Sequence, residues 1–301
     1  MIINITKNVK HANAITHGGK FHADDVLATV ILGKFFSKVT VYRTFKVPDD
    51  IDEKVIVYDI GYGKFDHHQN GGNGRRLNGV PYAACGLIWR EFGPKVVENT
   101  CNPQMVWNII DRELIQGVDA TDNGEMPNVD YSCHNMSFTT MISMFNPNWE
   151  DDVDFDPNFI KAVSFAETVF DNMMAYAIAK AKAKEYVEEA IEKAEGHIMI
   201  LNQYLPWQSY VLSSQNEKAK EILFVVYPSK RGGYNFQGVP ETFNSFRQRK
   251  SVPVEWRGKS DEEFQRLTGI CTARFCHPAG FVGGAVSLDD TIALARLAVE
   301  K

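Results

Sequence analysis

Apolar positions along the first sixty residues change period twice. Ala12 to Thr16 is a short run with strand character that stops at His17, and the Gly18-Gly19 pair predicts a tight turn behind it. From about His22 to Phe36 the residues Val26, Leu27, Val30, Ile31 and Phe35 recur at three and four, which is helical spacing. Val39 to Tyr42 and Val55 to Tyr58 read as strands, rich in β-branched residues. A strand, a helix and two strands in that order predict an α/β sheet. His17 and Asp59 then stand at carboxyl ends of strands, where open α/β sheets bind ligands.

Further along, helices are predicted over about 82–92 and 103–117, followed by an acidic turn over 117–124. Between 59 and 82 lies the Gly-rich stretch Asn70-Gly71-Gly72-Asn73-Gly74, which reads either as a lid or as an ordinary flexible loop. From Pro157 to Glu195 one stripe carries Phe159, Val163, Ala166, Phe170, Met173, Ala177, Ala181, Val187 and Ile191. Pro157 suits the first turn of such a helix and Gly196 its stop. After Gly196 strands are expected at 197–201, 210–212, 222–227 and 272–276, with a closing helix from Leu288. The domain expectation is therefore 1–195, including a linking helix, and 196–301.

The chain has 301 residues and a formal charge of −6, which argues against a strongly basic, non-specific nucleic-acid binder. Its five cysteines, Cys85, Cys101, Cys133, Cys271 and Cys276, are odd in number and form no CxxC pair. A disulfide framework is not expected. The first residues lack the order of a signal peptide, and no apolar stretch approaches the roughly 18 residues that span a bilayer. A cytoplasmic protein with no membrane partner is expected.

Two clusters carry the candidate chemistry: His17 to Asp25, and Asp59 with Lys64-Phe65-Asp66-His67-His68-Gln69. They offer imidazoles and carboxylates but no thiolates, a set suited to Mn or Mg rather than structural zinc. So many ligating groups predict two ions, and two ions predict cleavage of a phosphate ester. Asp59 is the natural bridge. His17 and His22 complete one ion site; Asp24, His67 and an acid from Asp119 or Asp122 complete the other. Asp24 alone also reads as a helix N-cap. Of the His67-His68 pair, one imidazole ligates while the other holds a phosphate oxygen or the leaving group, and Asp66 orients His67 or adds a ligand.

The far end offers possible substrate contacts. Gly280-Phe281-Val282-Gly283-Gly284 lets backbone approach a phosphate closely, with Arg274 and His277 alongside; it also reads as a plain strand-to-helix turn. Lys230 to Arg274 holds nine basic residues, among them Arg247, Arg249 and Arg257, against five acidic ones. Tyr234, Phe236, Phe243, Phe246 and Trp256 interleave with them. That mixture suits a short single strand, and equally a solvated face over a normal core.

The Asp66-His67-His68 run behind a strand-end Asp59 resembles the DHH phosphoesterase superfamily. Several further runs narrow the likeness: Thr16-His17-Gly18-Gly19-Lys20-Phe21-His22-Ala23-Asp24, Tyr58-Asp59-Ile60-Gly61, Val118 to Gly124, Trp256-Arg257-Gly258, Thr268-Gly269-Ile270 and His277 to Gly284. Together they are similar to the melanocyte-proliferating-gene (MYG) family over nearly the whole chain. The resemblance implies a mostly parallel DHH-type domain joined by a long helix to a smaller α/β substrate domain. It implies a 3′–5′ exonuclease acting on RNA or short oligonucleotides, with two Mn or Mg ions on His17, His22, Asp24, Asp59, His67 and Asp119 or Asp122. His68 would touch substrate, and nucleoside 5′-monophosphates would be released. Gly18, Asp25, Ala84-Cys85 and Ala285 depart from the family's usual residues, and none is an implied ligand. Two rivals stand beside this reading: a small-molecule phosphoesterase or pyrophosphatase on the same scaffold, and a metal-binding regulatory protein without turnover.

Overall fold

The structure is a computed structural model and describes residues 2–125, 136–243 and 245–301. It divides into two compact units, Met1–Ala181 and Lys182–Lys301.

The first unit is built on four parallel strands in the order β1-β3-β2-β4: β1 (Ile2–Thr6), β2 (Ala14–His17), β3 (Lys38–Thr44) and β4 (Ile56–Val57). The three strands expected from the pattern are present. β1 was not expected; its burial does not alternate cleanly, as befits an edge strand. Helix α1 (Ala23–Phe35) follows β2 and is buried on nearly every side from Ala23 to Gly33. Its exposed face is missing because α2 (Ala84–Val97) covers it. Val26, Leu27, Val30 and Ile31 thereby join Trp89, Ile110 and Phe170 in one core.

Residues 103–122 are continuously helical: α3 (Pro103–Ile110), a π-helical turn over Asp111–Ile115, and α4 (Gln116–Asp122). This corrects the acidic turn expected over 117–124. Ile115 and Val118 are buried and carry the helix onward, and the chain turns only at Gly124, with φ +72°. The correction matters for function, because Asp119 and Asp122 then sit three apart on one helical face. A short helix α5 (Phe138–Ser143) precedes α6 (Asp156–Glu192), whose 37 residues extend about 55 Å. The boundary between the two units falls within α6, after Ala181. Met173 and Met174 pack against the core of the first unit.

The second unit has a five-stranded sheet ordered β5-β6-β7-β9-β8: β5 (Ile198–Ile200), β6 (Phe224–Pro228), β7 (Tyr234–Gly238), β8 (Ala273–Cys276) and β9 (Val282–Ala285). Only β5 and β6 run parallel. Helices α7 (Gln208–Ser213), α8 (Glu217–Glu221) and α9 (Asp261–Thr268) lie between strands, and α10 (Leu288–Glu300) closes the unit. Leu294, Ala295 and Ala298 of α10 share a core with Phe224, Val226 and Phe236. The strand expected at 210–212 is part of α7, a case of a short apolar run whose period does not distinguish helix from strand.

Among the described residues, no helix is long and apolar enough to cross a membrane. Cys85, Cys101, Cys271 and Cys276 are free thiols; Cys133 lies outside the described residues.

Candidate metal centre

The carboxyl ends of β2 and β4 lie side by side, because Ala14 and Ile15 pair with Ile56 and Val57. His17 ends β2, and Asp59 follows β4 by two residues. Asp59 adopts φ +55°, a left-handed conformation uncommon outside glycine and costing on the order of 1–3 kcal/mol. Its amide donates to Phe65 O (2.9 Å), closing the loop that brings His67 and His68 back to the strand end. Asp66 holds this loop from inside. Its carboxylate accepts from Tyr62 N (2.6 Å), His68 N (3.1 Å) and His68 Nδ1 (2.7 Å). Asp66 thus orients His68, where the sequence suggested His67. The Asn73 amide of the Gly-rich stretch donates to Lys64 O (3.0 Å) and Asp66 O (2.8 Å), tying that stretch to the site.

Two ligand clusters meet at Asp59. On one side, His17 Nε2 lies 3.3 Å from Asp59 Oδ2 and His22 completes a group of three. The other His17 nitrogen, Nδ1, is 3.2 Å from Gly18 O, which fixes the ring. On the other side, His67 Nδ1 lies 3.6 Å from Asp59 Oδ1 and 3.8 Å from Asp24 Oδ2, and His67 Nε2 lies 3.0 Å from Asp122 Oδ2. Asp24 is fully buried at the start of α1, with His22 at the N-cap position. Its oxygens accept Ala84 N (2.8 Å) and Cys85 N (2.6 Å), so the amino end of α2 holds it.

Asp119 faces elsewhere. Arg76 Nη1 lies 2.7 Å from its Oδ2, and Gly86 N (3.0 Å) and Cys85 Sγ (3.2 Å) donate to its Oδ1. Arg76 also forks onto Asp111 (3.0 and 2.7 Å). Gly86 is required here, since a Cβ would fall 1.9 Å from Asp119 Oδ2. Burial pushes Asp119 up to about 6 despite Arg76. Burial likewise pushes up the Cys85 thiol, which donates to Asp119 Oδ1. Of the two acids the sequence left open, Asp122 is the one placed against His67, while Asp119 gathers with Asp24 and Cys85 and meets Arg76.

The site is short of positive charge. Burial, with the charges of Asp59, Asp122 and Asp119, holds Asp24 well above the ordinary carboxylate range. Burial lifts Asp25 to about 7, opposed by His17 and aided by Asp59. Burial alone lowers an imidazole, yet Asp59 and Asp25 carry His17 up to about 9. His67 is raised against its own burial by Asp122 and Asp59, whereas burial lowers His22. Among the described residues, Asp59 Oδ1 and His67 Nδ1 are buried without hydrogen-bond partners. Two unsatisfied ligating atoms of opposite type, within a crowd of carboxylates, fit divalent cations bound through nitrogen and oxygen.

From the sequence, no role falls to Asp25, 3.3 Å from His17 Nε2, or to the Arg76–Asp111 pair. The adjacent Asp24-Asp25 pair at a helix start was a usable signal for the first. Arg76 sits in a polar loop and had none.

The remaining candidates lie in the second unit. Arg249 Nη1 donates to Ala219 O (2.6 Å), Lys220 O (3.3 Å) and Ile222 O (3.0 Å), pinning the corner between α8 and β6. Arg257 lies under Gly280, where a Cβ would fall 2.6 Å from its Nε. Arg274 Nη1 donates to Gly232 O (3.1 Å), and His277 Nδ1 accepts from Ala279 N (3.1 Å). Arg247 is exposed. Gly283 and Gly284 are inside β9, where a Cβ would meet the Phe236 ring at 2.6 Å and Tyr234 O at 2.5 Å. Strand packing thus accounts for both glycines. Of the aromatics read as a stacking series, Phe236 and Trp256 are core residues, while Phe243 and Phe246 are exposed.

A family model described as MYG1_exonuc, uncharacterised protein family (UPF0160), matches residues 13–299. The "MYG1 protein" of Schizosaccharomyces pombe is 31% identical, covering 95% of this chain and 96% of its own. That of Saccharomyces cerevisiae is 29% identical, covering 94% of each. The human "MYG1 exonuclease" is 28% identical, over 93% of this chain and 84% of its own. No solved structure matches. With a parallel sheet that gathers histidines and aspartates at its strand ends, and a family match that runs from residue 13 to residue 299, the chain belongs to the MYG1_exonuc family.

Proposed function

We propose that the protein is a divalent-metal-dependent phosphodiester hydrolase, a 3′–5′ exoribonuclease that uses two Mn or Mg ions. The observation that carries the reading is Asp59, whose two oxygens face two separate ligand clusters. The names of the relatives support an exonuclease. His17, His22 and Asp59 would hold one ion; Asp59, Asp24, His67 and Asp122 would hold the other.

Ions bound there supply Lewis-acid chemistry, lowering the pKa of water and neutralising charge on the phosphate. The chain's own residues do the rest. His68, stacked on His67 with ring centroids 4.3 Å apart, has a side chain 54% exposed, so it is reachable from solvent. Asp66 binds its Nδ1 and leaves Nε2 for a phosphate oxygen. In the overall hydrolysis, water adds its oxygen to the terminal phosphorus and the bond to the preceding O3′ breaks. The shortened strand keeps a 3′-hydroxyl and a nucleoside 5′-monophosphate leaves. In the second unit, exposed Arg247, together with Arg257 and His277, supplies contacts to the strand.

The test is hydrolysis of a 5′-labelled single-stranded RNA with Mn, wild type against His67→Ala. A ladder shortening from the 3′ end and absent in the variant is expected. No ladder with wild type overturns the polymer reading and directs assays to pyrophosphate and dinucleotides.

A further inference from the structure

The second unit contains a cleft of about 540 Å³ at the hairpin that joins β6 to β7. That volume is within the range of small-ligand sites. Its walls include Tyr204, Tyr227, Tyr234, Lys230, Arg231 and Arg274. Among the described residues no carboxylate lines it, although the chain carries 38 acidic against 32 basic residues. Among the described residues, none of the three cations pairs with a carboxylate.

The walls differ in rigidity. Tyr227 is 6% exposed and its hydroxyl donates to Gln237 Oε1 (2.6 Å). Tyr204 is 54% exposed, tilted against Tyr227 with centroids 5.3 Å apart, and Lys230 Nζ lies 6.0 Å from its ring centre. The hairpin carrying Lys230 and Arg231 is closed tightly. Gly233 has φ +73°, and a Cβ there would fall 2.5 Å from Ala285 O. Arg274 reaches the same turn through Gly232 O. The cleft is also distinct from the His277 turn. β7 starts at the cleft with Tyr234 and ends at Gly238, whose amide donates to Phe281 O.

Cations without counter-charges select an anion. A fixed tyrosine beside an exposed one offers flat faces to an aromatic ring. We propose that this cleft binds a nucleoside monophosphate unit, the phosphate on Lys230, Arg231 and Arg274 and the base against Tyr204. The choice of a nucleotide over other aromatic phosphates rests on the nuclease reading above. The unit could come free or as one nucleotide of a strand.

The experiment is hydrogen–deuterium exchange of the full chain with Mn, titrated with adenosine 5′-monophosphate, which has no phosphodiester to cleave. Amides over 227–235 become protected, and adenosine or inorganic phosphate alone requires at least about tenfold higher concentration, the loss expected when charge-assisted bonds are missing. Lys230→Ala combined with Arg231→Ala, and separately Tyr204→Ala, shift the half-point upward by about tenfold or more. Their thermal midpoint and their Mn-dependent hydrolysis of bis(p-nitrophenyl) phosphate stay at wild-type values. Absence of protection over 227–235, or protection that both variants retain, overturns the proposal, as does equal protection by phosphate alone. A hexa-adenylate that protects at lower concentration than the monophosphate assigns the cleft to a strand; the reverse assigns it to free nucleotide. Protection without any RNA hydrolysis leaves the cleft standing and removes the nuclease reading.

Discussion

The strand ends of the first unit and the hairpin end of the second concentrate opposite charges. Around Asp59 the buried groups are carboxylates, with imidazoles drawn up in pKa to meet them. Around Tyr204 the charged groups are cations, with no acid among the described residues that line the cleft. Burial explains the contrast. Ionised carboxylates removed from water need a partner of opposite sign, which protons or metal ions supply. The cations of the second site stay near solvent and do not need neutralising to fold. The first site is thus poised for cations, the second for an anion.

The largest expected effect comes from removing the shared ligand. Asp59→Asn should lower Mn-dependent phosphodiester hydrolysis by more than about a hundredfold, beyond the 10–100-fold typical of outer partners. It should also reduce the Mn bound per chain, measured by equilibrium dialysis. Hydrolysis near wild type would end the bridging role.

Next is the division between Asp119 and Asp122. Asp119→Asn removes a carboxylate from buried Arg76 and should cost about 3 kcal/mol in urea unfolding. Asp122→Asn should leave urea stability within about 0.5 kcal/mol and weaken Mn binding instead. The opposite pattern would exchange their roles.

Metal loading should act on stability in the same region. Mn at about a hundred times its Kd should add about 2.7 kcal/mol, and a chelator should reverse the gain. A thermal midpoint indifferent to both would argue against any resident ion.

The metal-free protein should also respond to pH. Asp25 is held at about 7 when folded, against about 4 unfolded, so its stabilisation is complete below about pH 4 and is lost as pH rises through 7. His17, raised to about 9 from about 6.5, loses its contribution as pH rises through 9. The metal-free protein should therefore unfold at lower urea concentration at pH 9 than at pH 5. A flat profile would mean that the cluster relaxes when empty.

Sequence by itself determined the elements around the site. Strand period and helix period identified β2, α1, β3 and β4, and the two strand-end positions His17 and Asp59 followed from them. The residue types alone, imidazole and carboxylate without thiolate, pointed to a site able to bind metal ions. Tertiary structure decided the rest. Asp119 and Asp122 are the same residue type three positions apart, and only the placement of Arg76 from a distant loop and of Gly86 in α2 sets one against Arg76 and the other against His67. Asp66 turned to His68 because the loop closed on Phe65. β9 was hidden because its glycines read as a turn, and only the Phe236 ring and Tyr234 carbonyl beside them explain why no side chain fits. Local periodicity is written in neighbouring residues; which charge meets which is set by contacts between residues far apart in the chain.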